Sequence, residues 1–512
     1  MPKNRKELDP KFLRLLFSRP IDFCKYSDDE AVTTFVDNLY SKMQADGTLY
    51  RGTYETENRA VLKGITLELF ALRKAHKRMY LGYFRGQQEF LGQRQYLPTY
   101  MQSKDRFVRI VDWLEKLKYI ANETGFYDRE VFSGYRSRMR AKPKLIREME
   151  LFGITRTMIK QRQFGLIRLK DSEKKLIHFD ETDETILMRQ NVNRLNEFVG
   201  TCFIGLKIPN DRIHAYAEQR RRAIQNSLYQ RGIGWDETKY RKLPVDLTRN
   251  VLYRVFNNSS FKSGGRFVGA WYQNIPSGWR KYIQIALPGD DEPKFVEEYD
   301  FSHLHPALLY ARKGAHLASD AYSVGYNGEV SRAVVKQAML RMLNAKNKNE
   351  AIGSLKRKFS IRELRKRGIA SHEDVFSRLE GKHEPIRESF YSQVAVSLMY
   401  DESRIAEAVM FEMMDRHGRP ALCVHDSFLV ENGYGEILKE VMARKFEEII
   451  GGSAPRIERD PNVLEAEADL LGWQRMETNG QERGSVGIEE QNTDGPTNLR
   501  GYNKHFDQWV GR

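Results

Sequence analysis

The stretch Phe295–Tyr310, FVEEYDFSHLHPALLY, decides how the rest of the chain is read. Apolar and β-prone residues run up to Asp300, a polar break follows at Ser302-His303, and helix-forming side chains then continue to Tyr310. A carboxylate at the end of a buried strand, beside a helix start, is a common way to fix a metal ion or phosphate near backbone dipoles. One carboxylate rarely suffices. Ala421–Val430, ALCVHDSFLV, supplies a second, because two apolar runs flank His425-Asp426-Ser427 and predict a tight hairpin with an acid at its tip. The two acids are remote along the chain, so only tertiary folding, through two strands of one antiparallel sheet, would bring them together.

Working outward, 512 residues are too many for one core and predict about two to four domains. The formal net charge of +15 and the aromatic share of 11% suit a polyanionic partner, since Lys and Arg neutralise phosphates and rings stack on bases. A soluble enzyme with a basic surface is the plainer reading of the same charge. Mean hydropathy is -0.62. No apolar run approaches the length of a membrane span, and the N-terminal MPKNRKELDPKFLRLLF lacks a signal-peptide core, so no membrane segment and a cytoplasmic location are expected. Cys24, Cys202 and Cys423 are too scattered to suggest a disulfide framework or a zinc site.

Residues 1–145 read as a mainly helical, basic region. Asp28-Asp29-Glu30 is a helix start, and Asp105–Lys118 predicts an amphipathic helix. A hairpin turning at Gly125 and the cations Arg136, Arg138, Arg140 and Lys142 come next. That order resembles the recognition helix and wing of winged-helix nucleic-acid-binding domains, and an ordinary helix and hairpin with a solvated basic edge is the competing reading. Residues 146–250 are again helix-rich, with Pro209–Gln230 predicted as a helix capped by Asp211 and carrying Arg220, Arg221 and Arg222 on its polar side. The first 240 residues contain no acidic cluster of the kind a proofreading exonuclease needs.

Near residue 250 the chain turns to Gly, Asn, Ser and aromatics, as loops and short strands do where a backbone must approach a ligand. Gly265-Arg266 is followed by Gln273-Asn274-Ile275-Pro276 and Arg280, then by Asp300. Between the two acids, Ser331–Asn347 predicts a helix that turns Val334, Val335, Ala338, Met339, Met342 and Leu343 inward and leaves Arg332, Lys336, Leu340 and Asn344 on one face.

The order Arg266, Asp300, Arg332, Lys336, His425-Asp426 resembles the family A DNA polymerase and single-subunit phage-type RNA polymerase superfamily, over about residues 250–435. The resemblance implies an α+β right-hand fold, with an antiparallel palm sheet and helical fingers and thumb. It places palm and fingers in residues 251–475; around them, 1–145 is expected to be the helical, winged-helix-like nucleic-acid-binding region, 146–250 a helical thumb-like region, and the polar, Gly-rich 476–512 a flexible tail. It makes Asp300 and Asp426 the catalytic acids, holding two Mg²⁺ ions, or Mn²⁺, together with the Phe301 carbonyl. Lys336, Arg332, His305 and Asn344 would face the nucleoside triphosphate, and Arg266, His425 and Gln273 the primer and template. The implied partners are DNA, as primed duplex or single strand, and RNA, with the chain acting as a monomer or with accessory proteins.

Three departures stand out: the first leaves the templating-base platform unassigned, and the other two give conflicting signals for the sugar, since a bulky His305 would still block a 2′-hydroxyl. Asn344-Ala345 stands where the family usually has tyrosine and glycine, Ser427 follows the second acid as in the RNA enzymes, and His305 occupies the place of a sugar-excluding glutamate. A DNA polymerase without proofreading is the first expectation, with an RNA polymerase or primase that starts chains de novo as the alternative. A non-catalytic nucleic-acid-binding protein that retains a degenerate polymerase fold is the third.

Overall fold

Apolar spacing in the first part of the chain closes around one hydrophobic core, and the strands that follow Leu166 close around another. The computed structural model describes residues 18–21, 23–48, 54–86, 94–128, 133–209, 212–213, 215–220, 222, 245–460, 469, 502, 506–507 and 509–510. The predicted helix Pro209–Gln230 falls largely outside these, as does most of the stretch expected to be a tail.

The N-terminal unit runs β1 (Ser18–Pro20), β2 (Lys25–Tyr26), α1 (Glu30–Ala45), α2 (Glu55–Ala75), β3 (Tyr80–Tyr83), α3 (Lys104–Lys116), β4 (Ile120–Glu123), β5 (Phe126–Asp128), β6 (Ser133–Tyr135), β7 (Ser137–Ala141) and α4 (Pro143–Leu151). Asp29 caps α1 by accepting from the Ala31 N–H at 3.0 Å, as the acidic start predicted. The unit is not simply helical, because β1, β3, β7 and β4 form a four-stranded sheet in that order. These strands are short and carry buried cations that mask the usual alternation. Arg138, for one, is buried in β7 and paired with Glu123, so it does not belong to a solvated basic edge. Arg136 and Arg140 lie over the rings of Phe84 and Tyr80, at 3.8 and 5.0 Å.

Residues 146–250, expected to be helical, contribute strands as well as helix. They supply β8 (Lys160–Gln161), β9 (Ile167–Lys170), β10 (Leu176–Ile177), α5 (Asp183–Thr201) and β11 (Phe203–Leu206). From β9 onward these elements pack into the second core, because their apolar faces have no other cover. That core also takes in β12 (Tyr253–Asn257), β13 (Ser260–Val268), β14 (Ile283–Ala286), β15 (Lys294–Phe301), α6 (Leu304–Arg312), α7 (Glu329–Asn344), α8 (Lys348–Lys358), α9 (Ile361–Arg365) and α10 (His372–Lys382). It closes with α11 (Ala395–His417), β16 (Leu422–Val424), β17 (Ser427–Glu431), α12 (Gly435–Ile450) and β18 (Ile457–Arg459).

The central sheet is antiparallel throughout, in the order β11-β14-β15-β17-β16. β18 pairs with the far end of β15, on the side that β14 leaves at the near end. The chain is therefore α+β, with its antiparallel sheet at the centre of the larger unit. Among the described residues no helix is long and apolar enough to cross a membrane. Near the C-terminus, Tyr502, Phe506 and Trp509 gather around Phe203 of β11, with ring centroids 5.9, 5.1 and 5.8 Å away.

A buried ionic cluster joins the two units. Arg19 of β1 meets Glu68 of α2 at 2.6 Å and Asp246 at 3.1 Å, and Lys25 donates to Thr248 Oγ1 at 2.6 Å. Burial alone would raise the Asp246 carboxyl, but Lys25 and Arg19 outweigh it and hold the group well below the usual carboxylate range. A depressed folded value means stabilisation that is complete above the unfolded pKa of about 3.9 and is lost as pH falls through the folded value. Asp246→Asn should therefore cost about 3–5 kcal/mol at neutral pH, since it leaves buried Lys25 without a carboxylate and Arg19 with Glu68 alone. Urea denaturation checks this, and the deficit relative to the parent protein should shrink only in strong acid.

Candidate functional site

On β15 the side chains alternate, which sets Val296, Glu298 and Asp300 on one face and Glu297, Tyr299 and Phe301 on the other. Tyr299 and Phe301 are buried, the first donating to Glu436 at 3.2 Å and the second packing on Phe446 of α12 at 6.1 Å. Their burial fixes the strand so that Asp300 is presented on the opposite face.

Asp300 stands opposite Ser427 on β17 and opposite Glu458 on β18. Val424 pairs with Ser427, leaving His425-Asp426 as a two-residue turn, and His425 adopts a φ of 62° to close it. The expected hairpin is thus present, and its acid adjoins the end of the strand that carries the first. Loss of hydration, then the adjoining Asp426 and Glu298, push the Asp300 carboxyl above the usual carboxylate range, while Lys336 pulls it down. Neither acid has a hydrogen-bond or ion-pair partner among the described residues.

The surrounding acids are all engaged. Glu298 takes two bonds from Arg280, at 2.8 and 2.7 Å, and one from Ser427 Oγ at 2.6 Å. Ser427 therefore has a structural task, locking the neighbour of Asp300 in place. Among the described residues no group of three or more His, Cys, Asp or Glu side chains forms a ready metal cage. Two unpartnered carboxylates that leave the remaining positions to water and phosphate suit Mg²⁺, which binds through one or two carboxylates and keeps its waters. Phe301, whose carbonyl the resemblance added as a ligand, is the next residue on β15 and pairs with Ile457.

α7 buries the inward face expected of it and leaves Arg332, Lys336, Leu340 and Asn344 exposed. Lys336 lies close enough to Asp300 to act on its titration. Arg332 is held by Asp320, Nε to Oδ2 at 2.9 Å. Both cations lie over the ring of Tyr322, Arg332 at 5.1 Å and Lys336 at 6.0 Å. Burial raises the Tyr322 hydroxyl to about 12, with Asp426, Asp320 and Asp300 adding to the effect against Arg332. Sequence reading passed over Asp320 and Tyr322, which lie between α6 and α7 with no periodic signal to mark them.

A second charged knot sits beside the acids. Glu402 of α11 is buried, and its Oε2 lies 2.5 Å from Arg266 Nη2 and 3.1 Å from His305 Nε2. Burial raises this carboxyl, but His305 and Arg266 together bring it below its ordinary value. Arg266 in turn feels Asp426. Glu402 lies in the inward stripe of α11 with Ile405, Ala406 and Val409, and an acid in such an apolar stripe is the sequence signal that marks it.

The remaining candidates are placed differently. Gln273 donates to the carbonyls of Phe267 and Cys423, at 3.0 and 2.9 Å, and so ties its turn to β16. Asn344 turns back to the Leu340 carbonyl at 2.7 Å, two helical turns beyond Lys336. His425 is exposed at the hairpin tip.

No protein-family model matches the chain. No curated protein matches it either. Among solved structures it is similar to the POL domain of Pol1 from M. smegmatis, in complex with DNA primer-template and dNTP, at a TM-score of 0.28 and 15% sequence identity. The match covers 53% of this chain and 63% of that one, less than two thirds of its length.

Gly265 has a φ of 82°, and a Cβ there would lie 2.8 Å from both Ser403 Oγ and Phe256 Cε1, so only glycine lets β13 approach α11 this closely. Gly265→Ala should cost about 1–3 kcal/mol in denaturant unfolding. It should also weaken the Arg266–Glu402 pair, since the strained residue is adjacent to Arg266.

Proposed function

We propose that the chain is a template-directed nucleotidyltransferase, a DNA-dependent DNA polymerase of family A type without proofreading, built on a palm, fingers and thumb. The observation that carries this reading is the pairing of β15 with β17, which sets two carboxylates without protein partners side by side next to a cationic helix. Its support is geometric and chemical, together with the order of the motifs along the sequence.

In this reading Asp300 and Asp426 hold Mg²⁺, with the Phe301 carbonyl as a further ligand. The metal supplies Lewis acidity toward a 3′-hydroxyl and the phosphates when bound. Lys336 and Arg332 bind the triphosphate and offset charge on the leaving pyrophosphate. Arg332 exchanges Asp320 for phosphate as the nucleotide enters, and the Tyr322 ring keeps both cations oriented while it does. Glu402 orients Arg266 toward the primer-side duplex and His305 toward the sugar. The N-terminal unit, in which α3 is followed by the β4–β7 hairpin, serves as an additional nucleic-acid-binding region.

An RNA polymerase or primase is the second reading. Ser427, the residue that follows the second acid in the phage-type RNA enzymes, is what favours it, whereas a His305 ring held in place by Glu402 would still block a 2′-hydroxyl.

Primer extension with deoxyribonucleotides and ribonucleotides supplied separately decides between the two, and incorporation of deoxyribonucleotides onto a primed template is the expected result. Ribonucleotide-only product on an unprimed template would overturn the first reading in favour of the second. Asp300→Asn and Asp426→Asn should each lower synthesis by about a thousandfold or more. Duplex affinity, measured by fluorescence anisotropy, should stay near that of the parent. Lys336→Ala should raise the nucleotide KM by about ten- to a hundredfold, the size expected for a lost charge-assisted phosphate contact. An unchanged KM would remove Lys336 from the triphosphate site.

A further inference from the structure

The segment Lys356–Arg367, KRKFSIRELRKR, joins α8 to α9 and runs just past α9, and seven of its residues are cations. Six of these are exposed and Arg367 is half-buried. Its one acid, Glu363, is taken up by the Ser360 N–H and hydroxyl, both at 2.7 Å, in a capping box that starts α9. Lys356 pairs with Glu373 at 2.8 Å. Among the described residues the other six cations have no carboxylate within ion-pairing distance. This contrasts with Arg444 and Lys445 of α12, each of which reaches two carboxylates.

The turn is fastened to α7 at both ends. Lys358 Nζ donates to Gln337 Oε1 at 2.7 Å, an oxygen that also accepts from Arg341, and the Arg367 carbonyl accepts from Ser331 Oγ at 2.8 Å. Gln337 and Arg341 flank the exposed Lys336, Leu340 and Asn344 strip, about a third of a helical turn around the axis. The unneutralised charge therefore continues the surface that begins at Lys336 beside Asp300. The turn also offers apolar surface among its cations: Ile361 is 40% exposed, and half-buried Phe359 has Lys358 and Arg367 at 5.7 and 5.2 Å from its ring. Cations alternating with apolar and aromatic side chains suit unpaired bases, whose faces are open to contact, better than a duplex, which offers only its backbone to such a turn.

We propose that the Lys356–Arg367 turn is a second nucleic-acid contact that grips an unpaired strand, DNA or RNA, as it crosses the exposed strip of α7 toward Asp300 and Asp426. This deepens the polymerase reading, since that strand is the template still to be copied. The turn contributes phosphate contacts and takes no part in the chemistry.

The test combines Arg357→Ala, Arg362→Ala, Arg365→Ala and Lys366→Ala in the full chain, all at exposed positions, with circular dichroism to confirm that the fold is kept. Binding is followed by fluorescence anisotropy in EDTA for a blunt duplex, the same duplex with a long 5′ overhang of DNA or of RNA, and the free single strands. The overhang should contribute affinity in the parent, and the variant should lose about tenfold or more on overhang substrates while binding the blunt duplex unchanged. The slope of log affinity against log salt should fall by about 0.7 for each phosphate contact removed. The DNA and RNA arms identify which strand is held. Equal loss on blunt duplex, or no loss on any substrate, overturns the proposal. Because no synthesis is required, failure of the polymerase reading would appear separately, as absent primer extension by the parent protein.

Discussion

Antiparallel pairing of Lys294–Phe301 with Ser427–Glu431 is the constraint on which the rest depends. A sheet register is all-or-none for side-chain direction, because a slip of one residue sends every side chain to the opposite face. Here Tyr299 and Phe301 must be buried against α12, and Glu298 must reach Ser427 and Arg280. Together these contacts leave one register, and in it Asp300 and Asp426 adjoin. Like charges brought together without partners are destabilising unless a cation joins them. The fold maintains this arrangement through the packing around it, so the acid pair is kept together at a cost in stability.

Around that pair the protein spends its other charges on position. Glu402 holds Arg266 and His305 from one side, and Asp320 with Tyr322 holds Arg332 from the other. Farther out, the buried cluster of Arg19, Glu68, Lys25 and Asp246 fastens the N-terminal unit to the chain entering β12. The buried ions among these, Arg19, Lys25, Glu68, Asp246 and Glu402, are each matched, which is the condition for burying them at all.

How much of this was legible in sequence depends on whether the residue spoke through a local pattern. The break at Ser302-His303, the two-residue turn at His425-Asp426 and the inward face of α7 follow from periodicity and turn chemistry, and all are present. The four-stranded N-terminal sheet was hidden because its strands are three to five residues long and bury Arg19 and Arg138 where apolar side chains would be expected. The Gln273 amide N–H groups reach one carbonyl six residues away and another 150 residues away, and the second of these contacts has no local pattern to announce it. Asp320 and Tyr322 acquire meaning only once α6 and α7 are side by side.

The central claim is that the two carboxylates share divalent metal in front of Lys336. Anomalous diffraction from crystals grown with Mn²⁺, a primed template and a non-hydrolysable nucleoside triphosphate tests it most directly. The account predicts metal peaks bridging Asp300 and Asp426, with two ions about 3.5–4 Å apart and the triphosphate reaching Lys336. Metal bound elsewhere, or a triphosphate seated away from α7 with the acid pair bare, would contradict it.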